Sequence, residues 1–275
     1  MKKRISIGIN IFGDFHRQRL CMASLERVAD KHDNVSLFNI QQLNQKEYIV
    51  DVNYETIYDQ GDAGHNSVKD SASRMPMVKG FFNALADTDC DYFVFLNSDI
   101  ILTSKVVRLI QDYDYDSISV SRLAIHDIDS IDDSEIKHGH FQVAGFDVWA
   151  VKKDWWLENV HKFPDYVYAV SAWDVDYSSR MMVLGNSLFD TEFPPGCYHI
   201  MHDEKSHDDT PDRKHNVKLF WKDWNSLCDA WHGYFYEMLE ERKKLCPNYT
   251  KVGPNEQAII DKHFKNEDIH TKCNV

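Results

Sequence analysis

A chain of 275 residues, 43% hydrophobic and 13% aromatic, carries enough apolar material to bury one large core, which excludes extensive intrinsic disorder. Its formal net charge of −13 excludes broad binding to nucleic acid or an anionic membrane, because either needs a basic face to neutralise phosphates, so a phosphate-bearing ligand must meet a local basic group or a metal ion. Six cysteines without paired spacing (Cys21, Cys90, Cys197, Cys228, Cys246 and Cys273) suggest neither a zinc ribbon nor a disulfide framework and fit a reducing cytosol.

The basic start Met1 to Arg4 followed by apolar residues imitates a signal peptide, but Gly8, Asn10 and Asp14 interrupt the apolar run and no small-residue cleavage site follows. Arg4 to Phe12 is therefore expected as a first strand, and no stretch is long and apolar enough to span a membrane. Phe15 to Lys31 has helical periodicity and Val35 to Ile40 is a second strand, giving a right-handed β-α-β unit. A nucleotide would sit over its carboxyl edge, near Asn10, Phe12 and Asn39. The absence of a Gly-x-Gly-x-x-Gly or Walker sequence disfavours dinucleotide and P-loop enzymes. Gln41 to Ser73 is polar and weakly periodic, a long loop with a little local structure, and Pro76 suits the first position of a helix reaching Ala86. Tyr92 to Leu96 is then five consecutive apolar residues, a strand buried on both faces at the centre of a mostly parallel sheet. It stops at Asn97-Ser98-Asp99, where a crevice beyond the strand end would lie.

This strand and its ending resemble the metal-binding segment of GT-A-fold nucleotide-sugar glycosyltransferases. In that family an apolar strand ends in Asp-X-Asp, the last Asp binds Mn²⁺ or Mg²⁺, and the first helps hold the ribose or the metal. The resemblance implies that Asp99 is a metal ligand. It places Asn97 where the family carries a carboxylate, and an amide there can hydrogen-bond a ribose hydroxyl but brings no charge. The same triplet is also ordinary turn chemistry. The family further has a basic residue before the preceding helix that contacts the nucleotide or its phosphates, which implies Arg74; a surface arginine is the plainer alternative.

Ser104 to Gln111 is expected as a short helix and Ser117 to Ile125 as a strand, and the acidic stretch His126 to His140 is a candidate active-site loop. Phe141 to Val151 follows as a strand kinked at Gly145. Gly145 to Val151 is similar to the family's strand after the acidic motif, which implies that Asp147 binds a sugar hydroxyl; otherwise it is an exposed strand carboxylate beside a packed Trp149. Trp155 to Val160 is a short helix, and Ala172-Trp173-Asp174-Val175-Asp176 opens another that stops at Gly185-Asn186. In the family a tryptophan and acidic residues at such a helix start lie against the acceptor, and one carboxylate takes its proton in inverting enzymes. Either Asp174 or Asp176 can fill that role, while Asp174 is equally a standard N-cap and Asp176 suits the positive helix end.

After the Pro194-Pro195-Gly196 turn, Cys197 to His202 begins a cluster of His199, His202, Asp203, Glu204 and His207. Strand alternation would put His199 and His202 on opposite faces, so one of them holds an ion more readily than both. The resemblance assigns one of the two to the metal shell. From Asn216 onward aromatic residues recur at helical spacing, as core packing or a homodimer face.

The resemblance covers roughly residues 4 to 207 and implies a GT-A fold over 1–215, with a helical extension over 216–275. It implies a glycosyltransferase that uses Mn²⁺ or Mg²⁺ to move a sugar from a nucleoside-diphosphate sugar to a glycan or other hydroxyl acceptor. A catalytically inactive carbohydrate- or nucleotide-binding protein of the same fold is the alternative favoured by Asn97. A nucleotidyltransferase is a second, although Gly13 to Arg17 is a poor version of its basic glycine-rich loop. A zinc hydrolase lacks its His-Glu-x-x-His helix.

Overall fold

The computed structural model describes residues 2–13, 15–42, 53–59, 68, 75–125, 139–170, 173–190, 194–200 and 210–222. The acidic stretch 126–138 and the aromatic segment beyond residue 222 lie outside them. The elements in chain order are β1 (Ile5–Ile9), α1 (His16–Lys31), β2 (Val35–Gln42), β3 (Glu55–Asp59), α2 (Val78–Ala86), β4 (Tyr92–Leu96), β5 (Ile100–Leu102), α3 (Ser104–Asp112), β6 (Ser117–Ile125) and β7 (Gly139–Lys152). They continue with α4 (Lys153–Asn159), a 3₁₀ turn (Val160–Lys162), α5 (Trp173–Leu184), β8 (Ser187–Asp190) and β9 (Cys197–Ile200), and a helix α6 over 211–222.

One sheet runs in the order β3-β2-β1-β4-β7-β6-β9-β5, with β8 also on β6. Five of its pairings are parallel and three antiparallel. The apolar run of β4 sits near the middle because both of its faces find helices. Phe93 and Phe95 point into an aromatic core with Phe81 and Phe82 of α2, Trp156 of α4 and Tyr177 of α5. Tyr92, Val94 and Leu96 point into an aliphatic one with Leu25 and Val28 of α1 and Val106 and Ile110 of α3. Each fully buried side chain of this kind contributes roughly 1.5–3 kcal/mol of apolar burial. Helix α2 lies so close to β1 that a Cβ on Gly8 would come within 2.5 Å of the Leu85 side chain.

The structure differs from the sequence expectation at several places. Ile100–Leu102 form β5, paired with β9, where no strand was expected. The local structure within the stretch read as a long loop from Gln41 includes β3, a five-residue edge strand beside β2 whose Glu-Thr-Ile-Tyr-Asp sequence has no apolar run. Helix α2 begins at Val78 rather than Pro76, because Met77 forms an antiparallel bridge with Val167 and the Pro76 carbonyl accepts from the Tyr168 amide at 2.9 Å. Asp174 does not cap α5: the helix already includes Trp173, so Asp174 lies within its first turn.

Strand β6 changes partner along its length. Ser117 to Val120 pair with β8 and Arg122 to Ile125 pair with β9, both in parallel. Its other edge meets β7, where Val120 faces Val148 but Ser121 faces Phe146, leaving Asp147 as the extra residue of a β-bulge. The register jumps again from Ser121 opposite Phe146 to Leu123 opposite Phe141, which is where the kink at Gly145 was expected.

Candidate functional site

Several of the residues singled out in the sequence lie at or beside the carboxyl ends of β1 and β4. Asn97, Ser98 and Asp99 follow β4 directly, and the Asn97 amide N–H donates to the Asp147 carbonyl at 3.1 Å. Asp99 reaches the strand β9 histidine: its Oδ2 lies 3.4 Å from Nε2 of His199, which is 7% exposed. That meeting follows from register, since Ile100 of β5 is paired with His199. His202 and Arg74 lie outside the described residues. Among the described residues no group of three acidic, histidine or cysteine side chains converges on a point. The Asp99 and His199 pair therefore offers two ligands.

Asp147 is buried, at 2% exposure, and both its oxygens are engaged. Oδ1 accepts from the Asn97 Nδ2 at 2.6 Å, and Oδ2 accepts from a guanidinium N–H of Arg122 at 2.7 Å. The plainer alternative of an exposed strand carboxylate does not hold, because Asp147 is turned inward at the bulge, and the contact expected with a sugar hydroxyl would have to share oxygens that Asn97 and Arg122 already bind. Arg122 was missed, yet the sequence holds a signal for it. In Ser117 to Arg122 the apolar phase is Ile118, Val120 and then Arg122, so a charge falls where the strand pattern calls for an apolar residue. Burial pulls the Arg122 guanidinium down, and Asp147, Asp174 and Asp99 together more than offset this, leaving it raised.

The two carboxylates of α5 have different surroundings. Asp176 is fully buried and accepts from Nε of Arg180, one turn on, at 2.6 Å. Arg180 also donates to the Lys162 carbonyl at 2.8 Å, tying α5 to the 3₁₀ turn. Asp174 is only partly buried. Burial pushes its carboxyl up to about 6, against a pull downward from the Val175 amide, and Asp147 pushes it further while Arg122 opposes. A carboxyl at about 6 is ionised at neutral pH yet more basic than an ordinary aspartate, which suits proton abstraction. Trp173 is 4% exposed, with its ring centroid 4.4 Å from that of Trp149.

Tyr168 is a second residue the sequence reading missed. Burial first, then the charges of Asp99 and Asp147, raises the pKa of its hydroxyl, against an opposing hydrogen bond with the Ser98 backbone. The loop that carries it is clamped from α6, where the Asn216 amide accepts from the Val167 N–H at 2.9 Å and donates to the carbonyls of Val167 and Val170. Ala169 in this loop has φ of 59°, a left-handed conformation that costs a non-glycine residue about 1 kcal/mol or more.

At the β1 end, Asn10 and Asn39 are buried and fasten the loop. Asn10 Nδ2 donates to the Ile40 carbonyl at 2.7 Å, and Asn39 Oδ1 accepts from the Ile11 N–H at 3.2 Å and from Gln41 Nε2 at 2.6 Å. What this frame presents outward is Phe12, 47% exposed, beside Phe15, 53% exposed, with ring centroids 5.6 Å apart. Such a pair offers an aromatic face for stacking.

No protein-family model matches the chain, and no curated protein matches it in sequence. Solved structures do. S. aureus TarS aligns at a TM-score of 0.50 and 11% identity, over 92% of this chain and 46% of that one. Its 1-349 portion in complex with UDP-GlcNAc gives 0.48 and 11% identity over 92% and 77%, and the same portion with UDP gives 0.46 and 10% over 94% and 79%. The fold is GT-A. At this identity the likeness concerns the fold alone, and the argument for function rests on the side chains just described.

Proposed function

We propose that this protein is a glycosyltransferase that moves a sugar from a nucleoside-diphosphate sugar to a hydroxyl acceptor such as a glycan, with inversion at the anomeric carbon. The observation that carries the reading is Asp174: a carboxyl raised to about 6, in the first turn of α5 and coupled to Asp147 and Arg122 beside the Asn97-Ser98-Asp99 strand end. In this reading Asp174 removes the proton of the acceptor hydroxyl as that oxygen attacks the sugar, and the nucleoside diphosphate departs. Asp176, held by Arg180, keeps the helix in place. Asn97 Oδ1 accepts from a donor hydroxyl, Phe12 stacks on the base, and Asn10 and Asn39 hold the loop that presents Phe12.

Asp99 and His199 fit a divalent ion such as Mn²⁺ or Mg²⁺, which binds by one or two protein ligands with phosphate oxygens and water completing its shell. When bound, the ion neutralises charge on the departing diphosphate. Arg74 is the proposed basic contact for the phosphates and His202 an alternative ligand. Residues 1–215 form the catalytic unit in this reading together with α6, whose Asn216 holds the loop that carries Tyr168, and the aromatic residues that follow are the proposed homodimer face. Cys21, Cys90 and Cys197 are buried free thiols, in keeping with a cytosolic setting. Among the described residues no helix is long and apolar enough to cross a membrane.

The test is to incubate the protein with a panel of nucleotide sugars, with and without Mn²⁺, and to measure release of nucleoside diphosphate. Metal-dependent release from at least one donor is expected. Absence of release, together with absence of binding to every nucleoside diphosphate, would overturn the assignment.

A further inference from the structure

We propose that Arg122 is a positioning residue that acts through Asp147 to fix the side chain of Asn97, and that an amide is therefore required at residue 97. A carboxylate there has no N–H to donate to Asp147. The proposal rests on the glycosyltransferase reading only for the ligand that Asn97 meets; the relay itself is visible in the geometry.

Asp147 is the extra residue of the β7 bulge, and Arg122 stands where β6 passes from β8 to β9. Bulges re-aim side chains, and here two irregularities on facing strands bring a guanidinium and a carboxylate to 2.7 Å in a site where Asp147 is almost wholly buried. A buried carboxylate must be paired and hydrogen-bonded, or it carries a penalty of several kcal/mol. Arg122 satisfies Oδ2. Oδ1 then needs a donor, and Asn97 Nδ2 supplies it at 2.6 Å.

That requirement selects the amide orientation. Turning the Asn97 amide over would set its own oxygen against an ionised oxygen of Asp147, two acceptors facing each other with no proton between them. Nδ2 is thus directed inward, and Oδ1 faces away from Asp147 as an acceptor for a ligand hydroxyl. The backbone agrees, since the Asn97 N–H is bound to the Asp147 carbonyl and the whole residue is referenced to the bulge. An aspartate at residue 97 would offer Asp147 Oδ1 an acceptor where Nδ2 now donates at 2.6 Å, so the bond that fixes the side chain would be lost.

The test uses the full chain and whichever of UDP, GDP and dTDP the wild type binds tightest in the presence of Mn²⁺, titrated calorimetrically well below the melting temperature. Arg122→Met should weaken binding about 10- to 100-fold, the size of one hydrogen bond to a charged group, and Arg122→Lys should recover part of it. Asn97→Asp should lose a similar factor. Asp147→Asn keeps the shape but lets either end of the Asn97 amide face it, so the orientation is no longer selected, and it should lose a similar factor. In steady state the loss should appear in KM for the donor more than in kcat. Asn97→Asp or Asp147→Asn binding as tightly as wild type would overturn the relay. Should Arg122→Met fail to fold, Asp147→Asn decides alone. Wild-type protein that binds none of the three diphosphates overturns the functional reading instead, and the relay is then read from the melting temperature, which Asn97→Asp should lower and which, if unchanged, overturns the relay.

Discussion

Among the described residues, carboxylates at the two ends of the central sheet respond to protons in opposite directions. At the amino end of β1, β4 and β6, Arg4 pairs with Asp89 and Asp91, and Lys152 pairs with Asp114 at 3.0 Å, all near the surface. The side-chain hydrogen bond from Arg4 holds Asp91 below the usual carboxylate range, and that from Lys152 does the same for Asp114. At the carboxyl end burial pushes Asp174 up to about 6. Two openings lie at the amino end, one of 480 Å³ between Arg4, Asp91, Asp114 and Lys152 and another of 720 Å³ beside Phe38, Ile57 and Tyr58. The opening of 480 Å³ is lined by ion pairs already made, whereas the carboxyl end holds a carboxyl whose proton affinity has been shifted, and that is the better mark of chemistry.

Asp174→Asn should produce the largest difference between the ends. It retains shape and polarity but cannot take a proton, so transfer should fall by roughly 10²–10⁴-fold while nucleoside-diphosphate binding persists. In the wild type, kcat should decline below a pH of about 6 as Asp174 protonates. A variant that transfers sugar at the wild-type rate would remove Asp174 from the mechanism and favour a retaining reaction, which needs no base there.

Asp176→Ala tests the neighbouring carboxylate for an opposite role. It leaves Arg180, itself mostly buried, without its partner, and breaking a buried pair from one side costs about 3–5 kcal/mol. The melting temperature should drop by roughly 10 °C. A variant that melts normally yet fails to transfer would reverse the assignment of the two residues.

How much of this was legible in the sequence depends on whether the signal was local. Tyr92 to Leu96 announces β4 in both its bounds, because a strand covered on both faces needs no polar phase. Ser117 to Ile125 is likewise legible, although its serines are buried, since a small hydroxyl residue fits beneath the large rings of β7 and α5. Asp99 and the acidic start of α5 were visible as motifs. The Arg122, Asp147 and Asn97 relay was not, because its members lie 25 and 50 residues apart in the chain and meet only through a bulge that no local pattern encodes. Tyr168 is hidden for the same reason. Its position depends on a loop held by Asn216, 46 to 49 residues later.

Stability against pH separates the two ends more finely. Asp174 has a higher pKa folded, at about 6, than the ordinary 3.8, so between those values the native state binds more protons and stability falls as pH rises. Above about 6 the cost is fully present. Asp174→Asn removes it and should raise the melting temperature at pH 7.5 by the equivalent of about 1–2 kcal/mol, with the gain fading towards pH 4. At the amino end the sign is reversed: Asp91 and Asp114 have lowered values, so their contribution is present at neutral pH and is lost on acidification through the folded-state pKa. A gain from Asp174→Asn that grew on acidification would contradict the burial of that carboxyl.

The smallest effect is expected from Arg4→Ala. Its guanidinium pairs with two carboxylates, and those pairs raise its pKa, yet the group is solvent-exposed, where ion pairs often contribute nothing measurable. The substitution also spares the one contact here that orders the backbone, because the Arg4 main-chain N–H donates to Asp91 Oδ2 at 2.7 Å and any residue at this position retains that bond. Melting of Arg4→Ala should therefore match wild type within error at physiological salt, and any residue of difference should vanish at about 1 M salt, where the screening length shrinks to about 3 Å. Asp91→Ala should be the worse of the two, since it removes the acceptor of that backbone bond as well as the ion pair. If Arg4→Ala instead melts as early as Asp176→Ala and salt does not close the gap, the amino-end charges support the fold as strongly as the buried pair of α5, and the contrast between the two ends of the sheet is lost.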